Sequence, residues 1–193
     1  VTMSVTLHHG DAATILAGMP AQSVHCVVTS VPYFNQRDYL DPNHPDKHHE
    51  IGNEADIPTY INAIVNVFDA LWPVLRDDGT LWLNIGDKYA NDRKWGGKSS
   101  GKHADSGYAQ SGGVRHKVKT NEPAKSLIGL PWMIAFALKA RGWILRQEII
   151  WHKTNAMPNS HTDRLTTAHE PIFLFTKRPH YFLDTIAIAE PAK

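Results

Sequence analysis

The chain has 193 residues, 42% of them hydrophobic and 20% charged, with a formal net charge of +1. Such a length suits one domain with a sizeable core, and the near-neutral balance leaves only a local patch as an argument for nucleic acid. No apolar run approaches the roughly 18–20 residues of a membrane span, the start carries no signal-peptide pattern, and the single cysteine, Cys26, excludes an internal disulfide. A soluble, cytoplasmic protein is the expectation, with Cys26 a small buried hydrophobe.

In chain order, Val5-Thr6-Leu7-His8 reads as a short strand, and Gly10-Asp11 leads into a short helix from Ala12 to Met19. This is the opening of a βαβ unit. By residue type Asp11 is a helix cap, although a carboxylate at a strand end can also accept from a ribose hydroxyl or an adenine amino group. Val24-His25-Cys26-Val27-Val28 reads as a buried strand, which puts Thr29-Ser30-Val31-Pro32-Tyr33-Phe34 at its carboxyl end. Open α/β sheets place their ligands there. Ser30 Oγ and the Val31 carbonyl can accept from the two N–H bonds of an exocyclic amino group, while the Tyr33 ring stacks on a flat heterocycle. Pro32 fixes its own φ and pushes Val31 toward an extended conformation.

The stretch from Asn35 to Asn53 is a loop, placed to be a mobile wall beside Tyr33. His44, His48 and His49 within it match no zinc spacing, so no metal site is expected. Asp56 caps a helix with Pro58 in its first turn, and Tyr60, Ile61, Ile64, Val65, Val67, Phe68, Leu71 and Trp72 form its core stripe. Asp77-Asp78-Gly79 turns the chain into an apolar strand, Thr80 to Ile85, closed by Gly86-Asp87. These units predict a parallel sheet with helices on its faces.

Residues 88–125 change character. They carry about nine Lys/Arg against Asp92, Asp105 and Glu122, and they have no hydrophobic period. One reading is a solvated flexible insertion; the other is a loop that closes on DNA, with Arg93, Lys94, Lys98, Lys102, Arg115, Lys117 and Lys119 on phosphates. Gly96 to Gly101 lacks the spacing and the preceding strand of a phosphate-binding loop. A helix from Pro131 to Ala140 and a strand from Trp143 to Trp151 follow. A polar link then leads to another strand, Ile172 to Lys177, with Tyr181 to Asp184 as a candidate last one. Two strands so joined predict an antiparallel edge. Lys153, Asn155 and Arg164 read as pocket lining or DNA contacts, and Glu170 as either part of the site or a structural ion pair.

Ser30-Val31-Pro32-Tyr33 resembles the (Ser/Asp/Asn)-Pro-Pro-(Tyr/Phe) motif of the DNA amino-methyltransferases, which methylate cytosine N4 or adenine N6 with S-adenosylmethionine. The resemblance extends in order through Gly10-Asp11, Leu75 to Asp87, Trp143 to Pro158 and Asp163 to Lys177. It implies a Rossmann-like α/β methyltransferase fold with helices on both faces of the sheet and antiparallel strands at one edge, as a single catalytic domain over residues 1–193. It also implies catalysis by Ser30, Val31, Pro32 and Tyr33, cofactor contacts from Asp11, Thr29 and Ser30, and double-stranded DNA as partner. Serine at the first motif position leans toward cytosine N4. The chain departs from the pattern twice. Val31 stands in place of the first proline, and the Gly-rich cofactor sequence that this motif order carries near its carboxyl end is not found. A fragment, a homodimer or second chain completing the site, and a non-catalytic DNA-binding module all stay open.

Overall fold

The computed structural model describes residues 4–37, 39–41, 43–90, 120–156 and 162–190. An open four-stranded mixed sheet runs β1 (Val24–Ser30), β2 (Leu75–Asn84), β4 (His169–Thr176), β3 (Ile144–His152) across its width. β1 and β2 are parallel, and β4 lies antiparallel to both of its neighbours. Among the described residues three α-helices accompany it: α1 (Ala12–Ala17), α2 (Ile57–Leu71) and α3 (Leu130–Ala140). Among the described residues no helix is long and apolar enough to cross a membrane.

The order of the last strands follows from burial. β4 buries Phe173, Leu174, Phe175 and Thr176 in succession, so both of its faces need cover and it takes an interior place. β3 carries Arg146, Gln147 and Glu148, all exposed, and forms the edge. The antiparallel edge expected from sequence is therefore present, with the later strand inserted inside the earlier one.

α2 begins where Asp56 accepts from the Thr59 N–H at 2.8 Å, with Pro58 in the first turn. It buries Ile57, Tyr60, Ile64, Val65, Phe68 and Leu71. This stripe shares one core with Ile134, Ala135 and Leu138 of α3 and with Leu81, Leu83, Phe173 and Phe175 of the sheet. Each fully buried Ile, Leu, Val or Phe among them contributes about 1.5–3 kcal/mol.

Several expectations change. Val5 and Leu7 are 94% and 91% exposed and belong to no strand, and 181–184 is irregular as well. A single apolar pair without ladder partners cannot hold an extended segment in a sheet. Cys26 is exposed rather than buried, and Val28 is 79% exposed, because β1 pairs only with β2 among the described residues and one of its faces is open. Asp77-Asp78-Gly79 forms no turn before β2. The strand starts at Leu75, and the register jumps from Val24↔Leu75 to Cys26↔Thr80, so the extra residues form an irregularity inside it. At Gly79 a Cβ would lie 2.9 Å from the His25 carbonyl oxygen, so only glycine lets the two backbones approach this closely.

The start of α3 has no side-chain cap of its own, because its N-cap is Gly129 at φ +83°. Asp87, just beyond β2, supplies one from a distance. Its Oδ1 accepts from the Gly129 and Leu130 N–H groups, both at 3.0 Å. A carboxylate there also opposes the positive end of the helix dipole. Asp87→Ala is expected to lower stability by about 1 kcal/mol, with Asp87→Asn falling between it and the parent. Urea midpoints at fixed slope measure both; an unchanged midpoint for Asp87→Ala refutes the long-range cap.

Candidate active site

The motif stretch starts on the last residue of β1. In the parallel ladder Ser30 lies opposite Asn84, the last residue of β2, and Asn84 in turn lies opposite Ile172 of β4. Glu170, two residues earlier on β4, shares that face. Three strand ends thus deliver Ser30, Asn84 and Glu170 to one place, and Tyr33 turns back into it.

The Asn84 carboxamide is the hub. Its Nδ2 donates to the Pro171 carbonyl at 3.2 Å, which fixes the amide's orientation. Its Oδ1 then accepts from Ser30 Oγ at 3.2 Å and from Tyr33 Oη at 3.0 Å. The Tyr33 hydroxyl also lies 2.9 Å from Glu170 Oε2, so its single proton has two acceptors. Glu170 Oε1 forms an ion pair with Lys153 Nζ. Burial, and then the hydrogen bond to Glu170, push the Tyr33 phenol up to about 12, so it stays neutral. For Glu170 burial acts upward, but the bonds from Lys153, Tyr33 and Asn84 outweigh it and hold the carboxyl below its ordinary value.

The Tyr33 ring rests on Gly86. A Cβ at Gly86 would lie 2.5 Å from Tyr33 Cε2 and 3.0 Å from Cδ2. Only a glycine leaves room for the ring in this position. Behind the motif, the buried Tyr60 donates from its hydroxyl to the Pro32 carbonyl at 2.7 Å, and its phenol is raised chiefly by burial. The Val31 side chain is buried in the core.

The loop beside Tyr33 is tied internally. Glu50, its side chain 5% exposed, accepts from the Tyr39 N–H at 2.6 Å and from Lys47 Nζ at 2.6 Å. The Asn35 N–H donates to the Gly52 carbonyl. His44 caps the short 3-10 turn Pro45–His49 by accepting from the Asp46 N–H at 3.1 Å.

The ends of the basic stretch are clasped together. Tyr89 bridges Leu127 in antiparallel fashion, Ala90 donates to the Ser126 carbonyl at 2.8 Å and Ile128 to the Lys88 carbonyl at 2.9 Å. Lys88 Nζ reaches the Asn35 carbonyl at 2.9 Å, so this stem starts against the motif loop. Arg93, Lys94, Lys98, Lys102, Arg115, Lys117 and Lys119, expected on DNA, lie outside the described residues, as does the Gly96–Gly101 run.

Of the other expected site residues, Lys153 joins the cluster through Glu170, and the Arg164 guanidinium stacks on Tyr89 with its carbon 3.8 Å from the ring centroid. Asn155 is exposed in a turn. Thr29 shares the face of Leu83, opposite Ser30. Asp11 caps α1, accepting from the Thr14 hydroxyl at 2.7 Å and the Thr14 N–H at 2.8 Å, and these two bonds hold its carboxyl below the ordinary range. Among the described residues no hydrogen bond links Asp11 to the Tyr33 cluster. Asn84, Gly86 and Tyr60 were not read as site residues. Only Asn84 left a signal, as a polar residue closing an apolar strand.

The N6_N4_Mtase family model, described as DNA methylase, matches residues 24–193. Among curated proteins the chain is 43% identical to the Type II methyltransferase M.XycI of Xanthomonas campestris pv. cyanopsidis, over 97% of this chain and 59% of that protein. It is 41% identical to M.Cfr9I of Citrobacter freundii, over 96% of this chain and 58% of the relative. The chain therefore spans about three-fifths of the length of these relatives. Among solved structures, the cytosine-N4-specific PvuII DNA methyltransferase superposes with a TM-score of 0.61 at 16% identity, over 93% of this chain and 51% of that one. A putative DNA modification methylase of Thermus thermophilus, complexed with S-adenosyl-L-methionine, gives 0.54 at 22% identity, over 91% and 54%. These two share the fold. With the ordered motifs, the sheet and the Ser30–Tyr33 cluster, the family match places this chain in the DNA methylase family.

Proposed function

We propose that this chain carries the base-binding site of an S-adenosylmethionine-dependent DNA amino-methyltransferase whose target is cytosine N4. The observation that carries the reading is the joint anchoring of Ser30 and Tyr33 on Asn84 at the carboxyl ends of β1 and β2. Because Ser30 donates its proton to Asn84, the lone pairs of its Oγ remain for an incoming amino group. A flipped base would stack on Tyr33 and present its amino hydrogens to Ser30 Oγ and the Val31 carbonyl, at an unstacking cost of a few kcal/mol. Accepting both hydrogens returns electron density to the amino nitrogen, and the fixed ring sets its direction, so most of the catalytic gain is orientation. Serine at the first motif position supports cytosine over adenine.

The donor set suits the cofactor's adenosyl end. Both Thr14 bonds converge on Asp11 Oδ2, so Oδ1 has capacity for a ribose hydroxyl, while Ser30 brings a hydroxyl to the strand end on the face of Asn84 and Thr29 one on the other face. S-adenosylmethionine, when bound, supplies the electrophilic methyl group. For DNA, the Arg164 guanidinium stacked on Tyr89 keeps its in-plane N–H donors for phosphate, and Asn155 projects from the same link. The clasped stem of Tyr89 and Leu127 stands against the motif loop through Lys88.

The test expresses the chain in a host without amino-methylated DNA and measures the nucleosides by mass spectrometry, with Tyr33→Ala as control. N4-methylcytosine above the control is expected. N6-methyladenine reassigns the base, and neither product from a chain that binds DNA favours the non-catalytic module. Gly86→Ala should leave the chain folded by circular dichroism but lower methylation on the order of 10²-fold by displacing the Tyr33 ring. Parental activity in that variant removes the ring from the mechanism.

A further inference from the structure

The Lys153–Glu170 pair is hard to explain as a stabiliser. Its side chains are 36% and 20% exposed, and a largely buried pair must offset the cost of desolvating both charges, which makes it weak evidence for stability. Yet Glu170 sits on an interior strand, on the face and at the end where the motif lies, with its second carboxylate oxygen 2.9 Å from the Tyr33 hydroxyl. We propose that Glu170, braced by Lys153, is the positioning residue that presets the Tyr33 ring for its base. The proposal rests on the base-pocket reading above and names how that pocket is held open in the right shape.

Geometry leaves Tyr33 few alternatives. Gly86 floors the ring. Asn84 Oδ1 is a neutral acceptor already engaged by Ser30. Glu170 offers a charged acceptor, and hydrogen bonds to ionised groups are about twice as strong as neutral ones. Glu170 is braced on its other oxygen by Lys153, whose backbone N–H bonds the Ala168 carbonyl at 2.8 Å. The brace therefore runs from the β3–β4 link through a carboxylate to the aromatic platform. It touches no reacting atom.

The test labels tyrosine Cζ with carbon-13 in the 193-residue chain and follows Tyr33 by NMR across alkaline pH, with Tyr33→Phe assigning the resonance. Glu170→Gln keeps an acceptor but removes the charge. Its Tyr33 is expected to titrate at lower pH than the parent's, because the carboxylate disfavours the phenolate. In methylation kinetics the same variant should lose kcat on the order of 10²-fold with KM for DNA nearly unchanged, as for a misplaced group that binds nothing itself. Glu170→Asp, which keeps the charge, should recover part of both, and Lys153→Met should show a smaller loss. A Tyr33 resonance that titrates as in the parent in both Glu170→Gln and Lys153→Met overturns the proposal and leaves a solvated ion pair. A parent chain that methylates no DNA sinks the functional reading alone, since the resonance still decides the positioning.

Discussion

Everything at the candidate site depends on one side-chain amide. Asn84 ends β2 and bonds to groups on β1 and β4, so it ties the carboxyl ends of two parallel strands to the start of an antiparallel one. The sheet order makes this inevitable. Only with β4 inserted between β2 and β3 does Glu170 come within reach of a hydroxyl that precedes it by 137 residues. A buried polar hub of this kind is costly unless every member is satisfied. Here the acceptor oxygen takes the Ser30 hydroxyl, the Tyr33 hydroxyl is shared between that oxygen and Glu170, and the amide nitrogen has a carbonyl to bond. The cluster is a fixed surface rather than a loose pocket lining.

Local sequence revealed the parts of this arrangement that depend on local physics. The helix over Ile57–Leu71 announced itself by a capping aspartate, an early proline and a stripe at helical spacing, and it folds so. The segment around Ser30 to Tyr33 was legible because a short apolar run and a proline fix where a strand must stop. What depends on neighbours was less legible. Cys26 and Val28 look buried in one dimension, but β1 has a partner on one side only among the described residues. Nothing local in Val5 to His8 distinguishes a strand from an extended segment with no ladder to join. The interior place of β4 was written in its unbroken apolar run beside a charged β3, a contrast of two segments rather than a property of either.

Within the site the same division holds. Ser30 and Tyr33 were found because their chemistry suits an amino-bearing ring at a strand end. Gly86 escaped notice because its role is a missing atom, and Tyr60 because it reads as one more member of a core stripe. Lys153 and Glu170 stood out as polar residues in a connection. Their meaning required the third dimension, where a pair that looks structural on its own turns out to end on the aromatic ring.

Val31 shows how the fold absorbs a departure from its family's motif. A proline there would restrict the backbone by its ring, chiefly by limiting the unfolded chain. Valine gives up that restriction but buries its side chain in the core, so packing holds the residue that the ring would have held. On its other side the Tyr60 hydroxyl anchors the Pro32 carbonyl, and the Asn35 N–H closes on Gly52, where φ is +115° and a Cβ would sit 3.3 Å from the Tyr33 carbonyl oxygen. Burial before the proline and hydrogen bonds after it thus constrain the same few torsions from both ends. The loss of one proline therefore need not loosen the carbonyl of Val31, because its direction is set by what the side chain packs against and by the rigid peptide that follows.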